Sequence, residues 1–240
     1  MDLFIQQIIN GLTVGSVYAL IALGYTMVYG ILELINFAHG EIYMLGAYLG
    51  IIILGFLTVA GLTAFSLPLA ILVTLVAAGA ISAAYGATME KLAYRPLREA
   101  PRLAPLISAM GVSIFLQNYV MLTQGATDKV FPDIIPKKSV MFMGAEVTYL
   151  QIFIMAASVV LMAGLHAFIM RTRMGRAMRA TALDKKMAGL AGVNVDSVIS
   201  VTFIIGSFLA AVAGVMVAMY YGLVNFYIGY LAGIKAFTAA

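Results

Sequence analysis

Long apolar runs interrupted by short polar breaks set the pattern of this chain. Runs of about 20 mostly apolar residues can cross a hydrocarbon core of about 30 Å. They predict spans at 6–30, 42–62, 66–89, 103–123, 149–170 and 198–221. Gly61, Leu62 and Thr63 close the second run. Ser66 and Pro68 open the third, as an N-cap followed by a first-turn proline. The expected fold is all-α: one polytopic transmembrane helical bundle over 1–240, with an interrupted helix near residues 31–41, where polar residues break the run. The apolar stretch from Gly229 to Ala240 carries no helix stop and no basic flank, so further spans are expected beyond it.

Composition strengthens this reading. The chain is 63% hydrophobic and 10% charged, with a mean hydropathy of +1.04, where a soluble domain carries about a quarter charged residues. There is no cysteine, which excludes disulfides, thiolate metal sites and cysteine nucleophiles. Asp2 and the absence of nearby Lys or Arg are unlike a cleaved leader, so the first run reads as a permanent span.

The net charge of +4 is explained by topology and calls for no nucleic-acid partner. Lys91, Arg95, Arg98 and Arg102 fall between the third and fourth runs. Arg171, Arg173, Arg176, Arg179, Lys185 and Lys186 fall between the fifth and sixth. The positive-inside rule puts both loops, 90–102 and 171–197, in the cytoplasm. The loop 125–148, where Lys129, Lys137 and Lys138 are balanced by Asp128, Asp133 and Glu146, then faces outside, as does the N-terminus.

Glu33, Asn36, His39 and Glu41 form the densest polar cluster near a span. In a bilayer such groups must line water or pair with one another. One reading is a broken segment along a translocation path, with Gly40 relaxing the backbone; the other is a hydrated cytoplasmic turn. Glu33, Glu41 and His39 are also the groups an acid–base site would use, but no serine elbow or phosphate loop accompanies them. His166 is expected to be a hydrogen-bonded packing residue. Gly11 with Gly15, Ala80 with Ala84, and Gly206 with Ala210 and Gly214 stand at helix-packing spacing. The sixteen methionines read as apolar filling. Asn36-Phe-Ala-His-Gly40 has an echo in Asn225-Phe-Tyr-Ile-Gly229, of the kind transporter repeats leave.

The basic island from Met174 to Ser197 is the other outlier. Asp184 suits an N-cap and Gly192 a helix stop, so Lys185 to Ala191 should form a two-turn helix. Leu183, Met187, Leu190 and Ala191 give it an apolar face opposite Lys185 and Lys186. Asp196 or Ser197 is expected to cap the next span. A helix this short is unstable alone. Docking on lipid headgroups and docking in a protein groove both satisfy it.

The stretches GLTVGSVYALIALGYTMVYGI, NFAHGEIYMLGAYLG, YRPLREAPRLAPLISAMGVSIFLQN and GRAMRATALDKKMAGLAGVNV resemble the permeases of bacterial branched-chain amino acid ABC importers, most closely the smaller, Liv H-type, permease. The resemblance covers essentially the whole chain. It implies one half of an inner-membrane channel, completed by a second homologous permease. Two cytoplasmic ATPases would drive it, and a periplasmic amino-acid-binding protein would deliver the solute. ATP would be used by those partners, and this chain would bind no cofactor of its own. Gly175 through Gly192 would be the ATPase contact, with Arg176, Arg179, Asp184, Lys185, Lys186, Met187, Ala188 and Leu190 in it. The outer loop would help to dock the binding protein. Asn36, His39, Gly40, Glu41 and Asn225 are the candidate path residues. Family members run longer than this chain. A permease of the same family for urea or short amides is the near alternative; an ion-coupled secondary transporter is a more distant one.

Overall fold

The computed structural model describes residues 2–33, 36–98, 100–101, 103–132, 134, 138–142 and 144–240. The long helices are α1 (Asp2–Leu32), α2 (His39–Val59), α4 (Leu67–Met89), α5 (Leu103–Gln124), α6 (Tyr149–Arg171) and α9 (Val195–Tyr221). All six are long and apolar enough to cross a membrane. Short pieces join them: α3 (Leu62–Phe65), α7 (Arg173–Leu183), α8 (Lys185–Leu190) and the closing α10 (Ile228–Ala239). The chain is thus an all-α polytopic bundle with an interruption between Leu32 and His39. Leu34 and Ile35, inside that interruption, lie outside the described residues.

Local chemistry explains most boundaries. Gly61 adopts φ +79° and ends the turn after α2. Thr148 opens α6 with a capping box: its hydroxyl accepts from the Gln151 N–H at 3.2 Å and its own N–H donates to Gln151 Oε1 at 2.9 Å. α4 does not stop at Met89. It continues as a π-helical turn (Glu90–Tyr94) and a 3-10 turn (Arg95–Leu97), so the first basic loop begins as helix.

Four two- to four-residue strands were not foreseen from the hydropathy pattern. β2 (Ser139–Phe142) and β3 (Ala145–Thr148) form a hairpin within the loop 125–148. β1 (Lys129–Val130) pairs with β4 (Leu223–Val224), which follows α9. Gln6 of α1 bonds both ways with the Glu146 backbone, at 3.0 and 2.7 Å. The start of α1, the loop 125–148 and the end of α9 therefore share one end of the bundle.

α9 is the axis of the fold, flanked by α1, α2 and α4. Between helices in lipid there is no hydrophobic driving force, so close packing has to hold them. Small residues provide it. A Cβ on Gly46 of α2 would strike the Ala211 backbone, and one on Gly214 of α9 would strike the Tyr43 carbonyl. Gly79 and Gly86 of α4 lie against Phe208 and Ser207. Of the small-residue pairs expected from spacing, only Gly206, Ala210 and Gly214 pack inside the chain. Gly11 and Gly15 are exposed, with nothing within 4 Å of a Cβ. In α4 the packed face is Gly79, Ser82, Ala83 and Gly86, one position off the exposed Ala80 and Ala84. Spacing alone does not say which of two adjacent faces meets the neighbour. His166 is also exposed, on α6, and fills no core position.

Gly46→Leu or Gly214→Leu should destabilise the bundle by at least the roughly 1–3 kcal/mol typical of overpacking, because backbone atoms cannot yield. Gly11→Ala should not. Thermal unfolding of the three purified variants in detergent checks this.

Candidate functional site

Two regions gather the polar side chains. The first is the end of the bundle formed by α7, α8 and the start of α9. Thr172 caps α7, its hydroxyl accepting from Gly175 N–H at 2.9 Å. α7 then folds back on α6: Gly175 lies against the Ile169 backbone, Met178 and Thr181 are buried, and Arg179 donates to the Ile169 carbonyl. Asp184 caps α8, accepting from the N–H groups of Lys186 and Met187 at 2.8 and 3.0 Å. Gly192 takes φ +86°, which ends the helix and favours glycine.

Leu183, Met187 and Leu190 are 89%, 62% and 84% exposed, while Ala188 alone of α8 is buried. Gly175 and Ala188 thus support the hairpin from within. Arg176, Lys186, Met187 and Leu190 face outward. The sequence expectation for the next cap needs correction. Asn194 caps α9, accepting from Ser197 N–H at 3.0 Å, and Asp196 has a different task.

Asp196 accepts from Arg95 at 2.7 Å and from Arg98. Arg98 also pairs with Glu90, which is fully buried and takes a further bond from Ser200 at 2.8 Å. This latch ties the π-helical turn after α4 to the first turn of α9. Tyr94 of the same turn donates to Asn36 Oδ1 at 2.5 Å. Lys185 of α8 donates to the Leu32 carbonyl at 3.3 Å and lies 3.8 Å from Glu33. Glu33 has φ +58° and is the one non-glycine with positive φ among the described residues. The α7–α8 hairpin and the turn after α4 are therefore both linked to the α1–α2 connection. Sequence reading missed this latch, because Glu90 and Asp196 sit more than a hundred positions apart.

The second region is that interruption. Its polar residues divide. Glu33 is exposed, whereas Asn36, His39 and Glu41 are buried. The hydrated-turn reading suits only the first. The Asn36 side chain accepts from Ala38 N–H at 3.0 Å and its carbonyl from His39 N–H at 3.0 Å, the Asx turn that starts α2. Asn225 repeats this before α10, accepting from Tyr227 N–H at 3.0 Å and Ile228 N–H at 3.2 Å.

α2 and α10 then cross. A Cβ on Gly40 would strike the Gly229 carbonyl, and one on Gly229 would lie 2.6 Å from the Gly40 carbonyl. Gly40 is helical, so its role is this close approach and not the backbone freedom expected of it. His39 packs edge-on to Tyr25 at 4.7 Å, with Nε2 against Gly24 of α1. Glu41 Oε1 accepts from Ser113 at 3.0 Å and Gln117 at 2.7 Å, both on α5. Beside this crossing lies a groove of about 300 Å³. A cavity of about 760 Å³ opens at the other end of the bundle, lined by Gln6, Asn10, Glu146, Gln151 and Tyr220 among others.

An apolar bundle of long helices, with buried polar groups where α1 gives way to α2 and a basic, outward-facing helical hairpin at one end, suits a membrane transport subunit. The chain belongs to the family of branched-chain amino acid transport system permease components, whose model matches residues 7–240. It is 52% identical over 241 residues to the high-affinity branched-chain amino acid transport system permease protein BraD of Pseudomonas aeruginosa, covering 99% of this chain and 78% of that protein. It is 50% identical over 246 residues to the LivH permease proteins of Salmonella typhimurium and Escherichia coli K12, with the same coverage. No solved structure matches the chain.

Arg98→Ala would leave Glu90 buried without its cation, a loss of about 3–5 kcal/mol for a pair broken on one side. Arg95→Ala removes a half-exposed contact worth about 0–1 kcal/mol. Adding Glu90→Gln to Arg98→Ala should recover part of the loss. Melting temperatures of the three proteins in detergent test the ordering.

Proposed function

We propose that this chain is a permease subunit of an ATP-driven importer that moves branched-chain amino acids across the bacterial inner membrane. The observation that carries the coupling part is the outward display of Leu183, Met187 and Leu190 on a hairpin whose own folding they do not serve. Three large apolar side chains exposed at the α7–α8 hairpin call for a partner surface. A cytoplasmic ATPase groove fits, because Arg176 and Lys186 beside the apolar tip add charge for docking. The relatives' printed names support the solute class.

Topology agrees with this assignment. The loops 90–102 and 171–197 are tied together by the Arg95, Arg98 and Asp196 pairs, so both basic segments lie at one end, which is the cytoplasmic end by charge. The N-terminus, joined to the loop 125–148 through Gln6 and Glu146, is then periplasmic. A second homologous permease completes the pore, two ATPases supply the ATP chemistry, and a periplasmic binding protein delivers the amino acid near the loop 125–148. This chain contributes no ATP site. Closure of the ATPases moves α8. Lys185 and the latch pass that movement to the α1–α2 interruption and the base of α9, so the path opens alternately to either side. Asn36, His39, Gly40, Glu41 and Asn225 belong to that path.

Leu190→Asp places a charge in the docking surface without touching the fold, since Leu190 is exposed. ATP-dependent leucine uptake should fall about tenfold or more, as expected when an apolar anchor at the centre of an interface is lost. Membrane levels of the chain should stay normal. Gly192→Pro, which cannot adopt φ +86°, should do the same. Uptake of labelled leucine and urea by a deletion strain carrying each variant is the measurement. Wild-type leucine uptake in both variants would remove α8 from the coupling path, and rescue of urea uptake alone would reassign the solute.

A further inference from the structure

α10 carries a single charged residue, Lys235, in an otherwise uncharged helix. Its depth follows from its neighbour. The Lys235 ammonium stands over the Tyr18 ring of α1, 5.6 Å from the centroid, and Tyr18 is at the middle of the apolar span Leu3–Leu32. With a rise of about 1.5 Å per residue, about 20 Å of helix separates Tyr18 from either end of that span. The half-thickness of a hydrocarbon core is about 15 Å. α10 reaches this level because Gly40 and Gly229 let it cross α2 closely, and Gly233 then lies beside the Tyr25 hydroxyl of α1.

A lysine at that depth does not rest against hydrocarbon; such residues face a water-filled path or a polar partner. The aromatic face offsets part of the cost, yet it leaves the three ammonium donors without an acceptor. Among the described residues, Lys235 Nζ makes no hydrogen bond and no ion pair. Glu41, the acid beside the first turn of α10, bonds Ser113 and Gln117 of α5 instead. Lys235 is exposed at the surface of the subunit, so an acceptor can reach it from outside this chain. α1 leaves room for one. Gln7, Gly11, Tyr18 and Tyr25 fall on one face of α1 by helical spacing. α10 meets that face at Tyr18 and Tyr25. Beyond Tyr18, Gln7 and Gly11 are exposed, and a Cβ on Gly11 or on the adjacent Gly15 would meet nothing within 4 Å.

We propose that Lys235 is a solute-binding residue of this subunit: at mid-depth in the membrane its ammonium receives the carboxylate of the amino acid being moved. This rests on the permease reading above and deepens it, since a carboxylate is what separates amino acids from urea and short amides. Lipid hydrocarbon supplies no acceptor, whereas an amino acid brings one on each passage. The contact is charge-assisted and therefore strong for a hydrogen bond. It is also single, and the Tyr18 ring takes the ammonium back when the carboxylate leaves.

The test uses the full complex with its ATPases, second permease and binding protein in proteoliposomes, with labelled leucine as the probe. Lys235→Met keeps an unbranched side chain without its charge. It should lower ATP-dependent uptake about tenfold or more, the scale of one lost charge-assisted contact. Subunit copurification and melting temperature should hold. Lys235→Arg, which keeps the cation, should retain most of the uptake. Lys235→Cys places a single thiol in a chain that has no cysteine. Aminoethyl methanethiosulfonate returns an ammonium to that thiol and should restore uptake, whereas the neutral methyl reagent should not. The reaction needs an accessible thiolate, so leucine under turnover should slow it. The wild-type complex treated with each reagent is the control.

Absence of leucine uptake by wild type would overturn the permease reading itself. With wild type active, full uptake in Lys235→Met, or a Lys235→Cys thiol that the charged reagent never reaches, would overturn the carboxylate contact alone. Equal rescue by the neutral reagent would do the same. Loss of the second permease from the Lys235→Met complex would make Lys235 the partner of an acid on that subunit, and also overturn it.

Discussion

The close approach of α9 to α2 is the constraint on which the rest of the structure depends. Gly46 rests on the Ala211 backbone and Gly214 on the Tyr43 carbonyl, so two backbones touch where most helix pairs are spaced by side chains. In lipid this contact cannot be replaced by generic burial, because the alternative environment is equally apolar. It fixes the height of α2 against α9, and hence the depth at which His39, Gly40 and Glu41 sit. It also fixes α9 as the rigid element to which the latch at Asp196 is attached. A larger side chain at either glycine would shift both regions together.

The polar contacts differ in strength, and the difference orders them mechanically. Glu90 and Arg98 form a buried pair with a further bond from Ser200. Lys185 meets an exposed Glu33 at 3.8 Å and a carbonyl at 3.3 Å, contacts worth about 0–1 kcal/mol in water. A displacement of α8 therefore loosens its hold on the end of α1 well before it disturbs the latch. The base of α9 and the π-helical turn after α4 are thus held to each other more firmly than α8 is held to the end of α1. Tyr94, bonded to Asn36, connects that piece to the start of α2.

Much of the architecture was legible in the sequence because long apolar runs leave few alternatives in a bilayer. The capped helix after Asp184 was legible too, since an N-cap and a terminal glycine are local signals that act on adjacent residues. What escaped were features set by neighbours remote in sequence. Asp196 looked like a cap because capping is local; its arginines come from a loop about a hundred positions earlier. Gly40 looked like a source of flexibility, and is a contact point because α10 happens to cross there. Ala80 and Ala84 were chosen by spacing, yet the adjacent face carrying Gly79 and Gly86 meets α9, a choice only the partner helix makes.

The paired turns at Asn36 and Asn225 show how weak sequence likeness can carry strong structural content. A five-residue echo in so apolar a chain has little weight by itself. Here each asparagine makes the same two bonds, each starts a helix, and the glycine four residues on from one packs against its counterpart. The reciprocity of that glycine contact gives the crossing a local two-fold character. Symmetry breaks one position later, where α2 carries Glu41 and α10 carries Tyr230. A matched pair of helix starts thus sends one carboxylate into bonds with Ser113 and Gln117 of α5, while the aromatic ring lines the groove beside the crossing. One backbone device, used twice, therefore starts two helices whose next side chains meet different neighbours, because the crossing fixes the backbones and leaves the following position to whichever helix lies beside it.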